Sequence, residues 1–90
     1  MSLTETNRRE PLQDNATHVL VVDDDQRLRE LIARYLFQNG FRVTVAEDAK
    51  AARAAMRGLT FDLIILDVMM PGGESGLDLA RDLKRMAPIP

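Results

Sequence analysis

The spacing of apolar and polar residues along the chain predicts three strands that alternate with three helices. Two runs, His18–Val22 (HVLVV) and Leu63–Leu66 (LIIL), are almost wholly apolar. Apolar runs of this length are typical of strands buried on both faces of a parallel sheet, and the second run is expected to be the most buried. Residues 41–46 (FRVTVA) alternate and carry β-branched residues, which predicts a strand with one apolar face.

Helical spacing fills the segment after each strand. Apolar residues at i, i+3, i+4, i+7 and i+8 within residues 28–36 predict an amphipathic helix, which the Asn-Gly pair after it ends. The alanine-rich residues 49–57 predict a second helix, capped by Asp48 and ended by a glycine. A capping-box sequence that begins at Ser75 predicts a third helix over about residues 76–86. This order predicts an α/β fold, a parallel sheet with helices on both faces.

Composition and charge narrow the class of protein. The chain has 90 residues, 46% of them hydrophobic, enough for one small domain at most. Its 12 basic and 14 acidic residues give a net charge of −2, which offers no electrostatic reason to bind nucleic acid or an anionic membrane. The sequence has no cysteine, no long apolar span and no signal-peptide pattern, so a cytoplasmic location is expected. Residues 1–17 are polar and predict a disordered tail before a domain at residues 18–90.

Acidic residues follow two of the predicted strands. Asp23, Asp24 and Asp25 come after the first apolar run, and Asp67 comes after the second. Because the carboxyl ends of parallel strands share the sheet edge that binds ligands, these acids are expected to lie together. The simplest interpretation is helix capping, but a side-chain cap serves one or two backbone donors and explains Asp25 better than the others. His18 lies at the opposite end of its strand, where a structural or surface role is expected.

Two chemical interpretations concern the remaining acids. Crowded carboxylates repel each other unless a cation lies among them, and a site of oxygen ligands alone favours Mg²⁺ or Mn²⁺ over Zn²⁺. In the other interpretation one acid is a nucleophile, because an aspartate accepts a phosphoryl group when a metal masks its charge and the donor is held in line. Asp67, alone at the end of its strand, is the better nucleophile, with Asp23 and Asp24 as metal ligands.

The segments LVVDDD, LRELIARYL, NGF, FDLIILDVMMP and SGLDL, in this order, strongly resemble the receiver domain of bacterial two-component response regulators. The likeness covers residues 18–90 and is greatest to the branch that carries a winged-helix DNA-binding domain. It implies a flavodoxin-like, doubly wound parallel sheet, in which strands of order 2-1-3 are present and the fourth and fifth βα units are missing. The domain would therefore be the N-terminal part of a receiver.

The resemblance also implies roles for individual residues. Asp67 matches the phosphoacceptor and a metal ligand, Asp24 the carboxylate that binds Mg²⁺ directly, and Asp23 the acid that reaches the metal through water. Met69 would contribute its backbone carbonyl. The implied function is a signalling domain that accepts a phosphoryl group on Asp67 from a sensor histidine kinase and switches an output, transcription in this branch. Such a domain is not a metabolic enzyme, and this segment would not itself contact nucleic acid.

The sequence departs from the family pattern in two ways. The hydroxyl residue after the fourth strand and the lysine after the fifth have no counterpart here, and the loop between Pro71 and Gly76 has one residue more than usual. An alternative hypothesis is therefore an interaction or dimerisation fragment that keeps the fold but does not switch, with a homodimer or strand-edge pairing through the third strand. A phosphohydrolase is a third hypothesis, but its second acid would be expected where Met69 stands.

Overall fold

A computed structural model of the chain describes residues 16–67 and 76–86. All six predicted elements are confirmed in order, with ends that differ from the predicted ones by up to two residues. The elements are β1 (His18–Val22), α1 (Gln26–Gln38), β2 (Arg42–Ala46), α2 (Ala49–Gly58), β3 (Leu63–Leu66) and α3 (Gly76–Met86). Most of the predicted tail, the start of the capping box and the loop that holds Met69 lie outside the described residues.

The three strands form a parallel sheet of order β2-β1-β3, as predicted. The pairing brings all three carboxyl ends level, because Val22 pairs with Ala46 on one side and with Leu66 on the other. The crossover from β1 to β2 and the crossover from β2 to β3 run in opposite directions across the sheet. By the rule that such crossovers are right-handed, α1 and α2 are placed on opposite faces, and α1 accordingly has no residue in the core cluster that α2 lines.

The core lies on the face that α2 and α3 cover. It combines alternate residues of β1, the last residue of β2, residues of both helices, and Phe61. These residues are Leu20, Val22, Ala46, Ala52, Met56, Phe61, Leu79 and Leu83. Val19 and Val21, which alternate with the core residues of β1, are fully buried on the opposite face of the sheet. There α1 packs against β1 and β2. Within the described residues, no helix combines the length and hydropathy that a membrane span requires.

The prediction that the Leu63–Leu66 strand is the most buried was wrong. Every residue of β1 is buried, whereas Leu63 is 49% exposed and the rest of β3 is half-buried. The reason is position in the sheet: β1 has a strand on each side, and β3 has one strand neighbour among the described residues. An apolar run shows that a strand is suited to burial but does not rank the strands of a sheet by burial.

Local bonds at the ends of α1 fix its length. Asp25 caps it, with its carboxylate accepting the N–H of Leu28 at 3.2 Å. At the other end, Gly40 adopts a φ of 93°, and its N–H and that of Phe41 donate to carbonyls of the last turn. This is the predicted left-handed cap, in the Schellman form.

The amino-terminal edge of the sheet is held by polar contacts. His18 is buried, its Nε2 lies 2.8 Å from the Thr44 hydroxyl, and its ring centroid lies 4.4 Å from that of Phe61. These contacts agree with the structural role expected for His18. Ahead of β1, the carbonyls of Ala16 and Thr17 accept hydrogen bonds from Arg42. The last two residues of the predicted tail are thus tied to β2.

An ion pair joins the two helices on the core face. Arg53 of α2 donates to Asp82 of α3 at 2.6 Å, and Arg85 also contacts that carboxylate. The hydrogen bond from Arg53 is the main reason why the pKa of Asp82 lies below its ordinary value of 3.8. The folded state therefore favours the charged carboxylate, and the pair stabilises the packing of α2 on α3 only while Asp82 is ionised.

We expect Asp82→Asn to destabilise the protein at neutral pH and to do so less as the pH falls. Because the folded-state pKa is lowered, the contribution is complete above the ordinary pKa and disappears as the pH drops toward the lower folded value. Urea unfolding from pH 7 to pH 3 measures the difference between wild type and variant. Glu47→Gln is the control, because this acid is exposed and lies outside the helices and strands. A difference between wild type and Asp82→Asn that stays constant with pH would contradict the assignment.

Candidate functional site

The carboxyl edge of the sheet carries a cluster of three aspartates. Asp23 and Asp24 directly follow β1, and Asp67 directly follows β3. One carboxylate oxygen from each lies within 4.8 Å of the others. The structure thus brings together the three acids that were expected to converge. We call them the carboxylate cluster.

Asp23 is the fixed member of the carboxylate cluster. Its side chain is buried, and its Oδ1 accepts the N–H of Asp25 at 2.9 Å. Its own N–H donates to the carbonyl of Ala46 at 3.1 Å, which attaches it to the end of β2. Its carbonyl accepts a hydrogen bond from Nη1 of Arg29 at 2.8 Å. Three atoms of one residue are therefore held from three directions.

Asp24 and Asp67 form the accessible side of the carboxylate cluster. Asp67 is held through its backbone, since its N–H donates to the carbonyl of Val22 at 3.0 Å, and its side chain is half-buried. Asp24 is exposed. The cluster thus runs from a buried carboxylate to an open one, so a small solute can reach it from one side.

The residues present suit a hard divalent cation. Three carboxylates close together repel one another in the absence of a cation, and Mg²⁺ prefers oxygen ligands at about 2.0–2.1 Å. Two such ligands on opposite sides of one ion would lie about 4.2 Å apart, and the carboxylate oxygens of the cluster all lie within 4.8 Å of one another. A carboxylate that binds through water can stand somewhat farther away. Because Mg²⁺ commonly keeps several waters, the exposed side of the cluster fits this ion well.

Asp25 belongs to the helix and not to the cluster. Its carboxylate accepts the N–H of Leu28, so the capping interpretation explains this acid and leaves the other three for a different role. Met69 and the extra loop residue lie outside the described residues, so the role of the Met69 carbonyl stays a prediction.

The sequence interpretation missed Arg29. A partial signal was present, because α1 has no acid in its first turn and carries Arg27 and Arg29 near its start, where a cation is disfavoured. The sequence did not distinguish the two arginines, and the structure shows that Arg27 is exposed and Arg29 half-buried. The partner of Arg29 is the Asp23 carbonyl, which no periodicity could have identified.

Known proteins resemble this chain over most of its length. Residues 19–90 match the model of the response regulator receiver domain family. Protein PetR of Rhodobacter capsulatus is 53% identical over 73 residues, which are 81% of this chain and 30% of PetR. The transcriptional regulatory protein ResD of Bacillus subtilis is 37% identical over 78 residues, 87% of this chain and 32% of ResD. The chain spans about a third of the length of these relatives.

A solved structure shows a similar fold. The response regulator protein TrrA of Thermotoga maritima, in complex with Mg²⁺-BeF, superimposes with a TM-score of 0.71 and 36% identity over 81% of this chain and 65% of TrrA. TrrA matches with the same values in its complex with the histidine kinase ThkA.

We expect Asp25→Ala to separate capping from metal binding. Loss of an aspartate cap costs about 1 kcal/mol of stability, whereas the Asp25 N–H that holds Asp23 belongs to the backbone and is kept. Mg²⁺ affinity, measured by isothermal titration calorimetry, should therefore fall much less than in Asp24→Asn, since Asp25→Ala removes a nearby charge but no proposed ligand. Asp24→Asn is the matched variant and should weaken Mg²⁺ binding strongly without removing a cap. Equal weakening by both variants would place Asp25 among the ligands.

Proposed function

The chain belongs to the response regulator receiver domain family, and from this premise we propose that Asp67 accepts a phosphoryl group from a sensor histidine kinase. We further propose that Asp24 and Asp67 hold Mg²⁺ directly, that Asp23 reaches it through water, and that the carbonyl of Met69 completes the site. The observation that carries the proposal is the carboxylate cluster, in which Asp67 lies close to Asp23 and Asp24, the two acids that directly follow β1. The complex of TrrA with Mg²⁺-BeF supports the choice of ion, although carboxylate oxygens would also accept Mn²⁺.

The proposed reaction transfers a phosphoryl group from a histidine of the kinase to the carboxylate of Asp67. A carboxylate oxygen of Asp67 attacks the phosphorus of a phosphohistidine, an O–P bond forms, and the P–N bond breaks so that its electron pair returns to the imidazole. Mg²⁺, when bound, supplies charge neutralisation between the carboxylates and the phosphoryl oxygens. The chain contributes placement: the bond from the Asp67 N–H to Val22 fixes the acceptor at the end of β3. Small phosphodonors such as acetyl phosphate would react in the same way.

A partner kinase would meet the surface beside the carboxylate cluster. An open groove of about 570 Å³ runs along α1 from the cap Asp25. Its lining combines the exposed leucines Leu28 and Leu31 with arginine and glutamate side chains. An apolar strip with charged margins suits a protein helix better than a small molecule. The complex of ThkA with TrrA supports a kinase as the partner.

The output of the switch would lie elsewhere in the protein. ResD is named a transcriptional regulatory protein, and this chain matches about a third of its length. We propose that the chain regulates transcription through a winged-helix output domain, without itself contacting DNA. Its net charge of −2 agrees with a segment that does not itself bind DNA. We place it in the cytoplasm, as a phosphoacceptor and not a metabolic enzyme.

The phosphoacceptor is tested by labelling. Incubation with Mg²⁺ and labelled acetyl phosphate should label wild type, and Asp67→Asn should abolish labelling because the amide is not a nucleophile for phosphorus. Glu47→Gln is the matched control, since this exposed acid follows β2 at the same edge and lies outside the cluster. It should be labelled like wild type. Labelling that persists in Asp67→Asn, or in wild type with the metal chelated, would overturn the proposal.

Exposed apolar surface favours a second candidate function, assembly through β3. Among the described residues β3 has one strand neighbour, and Leu63 is 49% exposed at its start. A strand that pairs on one side offers backbone donors and acceptors on the other. We propose that a second copy of this chain, or a further segment of a longer protein, pairs with this edge.

We expect the chain to self-associate in analytical ultracentrifugation if a second copy covers β3. A lysine on the exposed position should reduce that association, because edge charges oppose strand pairing. Leu63→Lys is therefore compared with Leu59→Lys, a similarly exposed leucine outside the sheet. A monodisperse monomer in the wild-type chain would contradict self-pairing.

A further inference from the structure

We propose that Arg29 is a positioning residue of the carboxylate cluster. It holds the peptide group between Asp23 and Asp24 and thereby sets how their two carboxylates face Asp67. This role rests on the proposed function, because it concerns the same cation site.

The contact that carries the inference is between a helix side chain and a backbone carbonyl. Nη1 of Arg29 donates to the carbonyl oxygen of Asp23 at 2.8 Å in a partly buried contact. The backbone of Arg29 is fixed as well, because its N–H donates to the carbonyl of Asp25 at 2.9 Å. The guanidinium thus links the first turn of α1 to the end of β1 across the connection between them.

The geometry shows what this bond restrains. The N–H and Oδ1 of Asp23 are already held by Ala46 and Asp25. The bond from the Asp25 N–H closes a turn across Asp24, and the peptide that follows Asp23 lies within that turn. Asp24 is exposed, so packing restrains it weakly. The bond from Arg29 to the Asp23 carbonyl adds a second restraint, which fixes the orientation of this peptide and thereby of Asp24.

The burial of Arg29 also argues for a specific role. A positive side chain near the start of a helix is unfavourable, and Arg29 offsets this with its contact to the Asp23 carbonyl. Arg27 and Arg34 of the same helix are exposed, whereas Arg29 is half-buried and directed at the site. Groups that orient metal ligands are typically worth about 10–100-fold in metal affinity.

Charge and positioning predict changes of opposite sign. Arg29 brings a positive charge close to the cation site, so a purely electrostatic role predicts that its removal tightens Mg²⁺ binding. A positioning role predicts weaker binding, because the carboxylates lose their fixed arrangement. The direction of the change in Kd therefore separates the two.

Arg29→Met is the best test variant, since methionine keeps an apolar stem but has neither charge nor N–H donor. We expect it to raise the Kd for Mg²⁺ by about 10-fold in calorimetric titration. Arg29→Lys, which keeps a charge and a donor, should lie between Arg29→Met and wild type. Arg27→Ala removes a charge from an exposed position near the start of the same helix, so it should not weaken Mg²⁺ binding. Without Mg²⁺, the Asp24 amide signal in NMR spectra should shift in Arg29→Met and not in Arg27→Ala.

Each outcome decides between the hypotheses. If wild type binds Mg²⁺ and Arg29→Met binds equally or more tightly, the positioning role is wrong while the proposed function stands. Equal weakening by Arg27→Ala would also overturn it, because the effect would then not depend on the bond from Arg29 to the Asp23 carbonyl. Failure of wild type to bind Mg²⁺ would overturn the proposed function and this role with it. Circular dichroism checks folding, and Arg29→Ala provides the same comparison should Arg29→Met not fold.

Discussion

The in-register pairing of β1 with both neighbouring strands is the constraint on which the rest of the structure depends. Val22 is level with Ala46 and with Leu66, so the residues that follow the strands emerge at one height. Two backbone bonds extend this pairing by one step, from Asp23 to Ala46 and from Asp67 to Val22. A shift of one residue in either pairing would send a cluster carboxylate to the other face. The site is thus a consequence of sheet register, which the buried residues of β1 enforce.

The register of the sheet brings the acids together, and other contacts hold them in place against their mutual repulsion. Asp23 is held by the most contacts described: it is buried, its carboxylate accepts the Asp25 N–H, and both its N–H and its carbonyl are hydrogen-bonded. Asp25, one residue beyond the cluster, uses its carboxylate for the helix and adds order to the connection. The adjacent acids therefore have different roles, because β1 ends at Val22 and α1 begins at Gln26. Asp23 and Asp24 belong to the carboxylate cluster, and Asp25 caps the helix.

The sequence was sufficient for the features that depend on local periodicity and chain order. The six elements, the parallel sheet and the convergence of Asp23, Asp24 and Asp67 all follow from apolar spacing and from the rule that carboxyl ends share an edge. The burial of β3 did not follow, because exposure depends on how many neighbours a strand has. Arg29 was missed for a related reason. Its partner is a backbone carbonyl, which every residue has, so the sequence does not mark that partner.

The same restraints bear on which acid can react. A nucleophile must be reached in line by its phosphodonor, and Asp23, at 5% exposure with one oxygen bound to the Asp25 N–H, is poorly placed for this. Asp24 is open but lies in the short connection to α1, where its position depends on the peptide before it. Asp67 combines a backbone fixed at the end of β3 with a side chain that is partly accessible. The accessibility and the fixed backbone of Asp67 thus support the proposal that it is the phosphoacceptor.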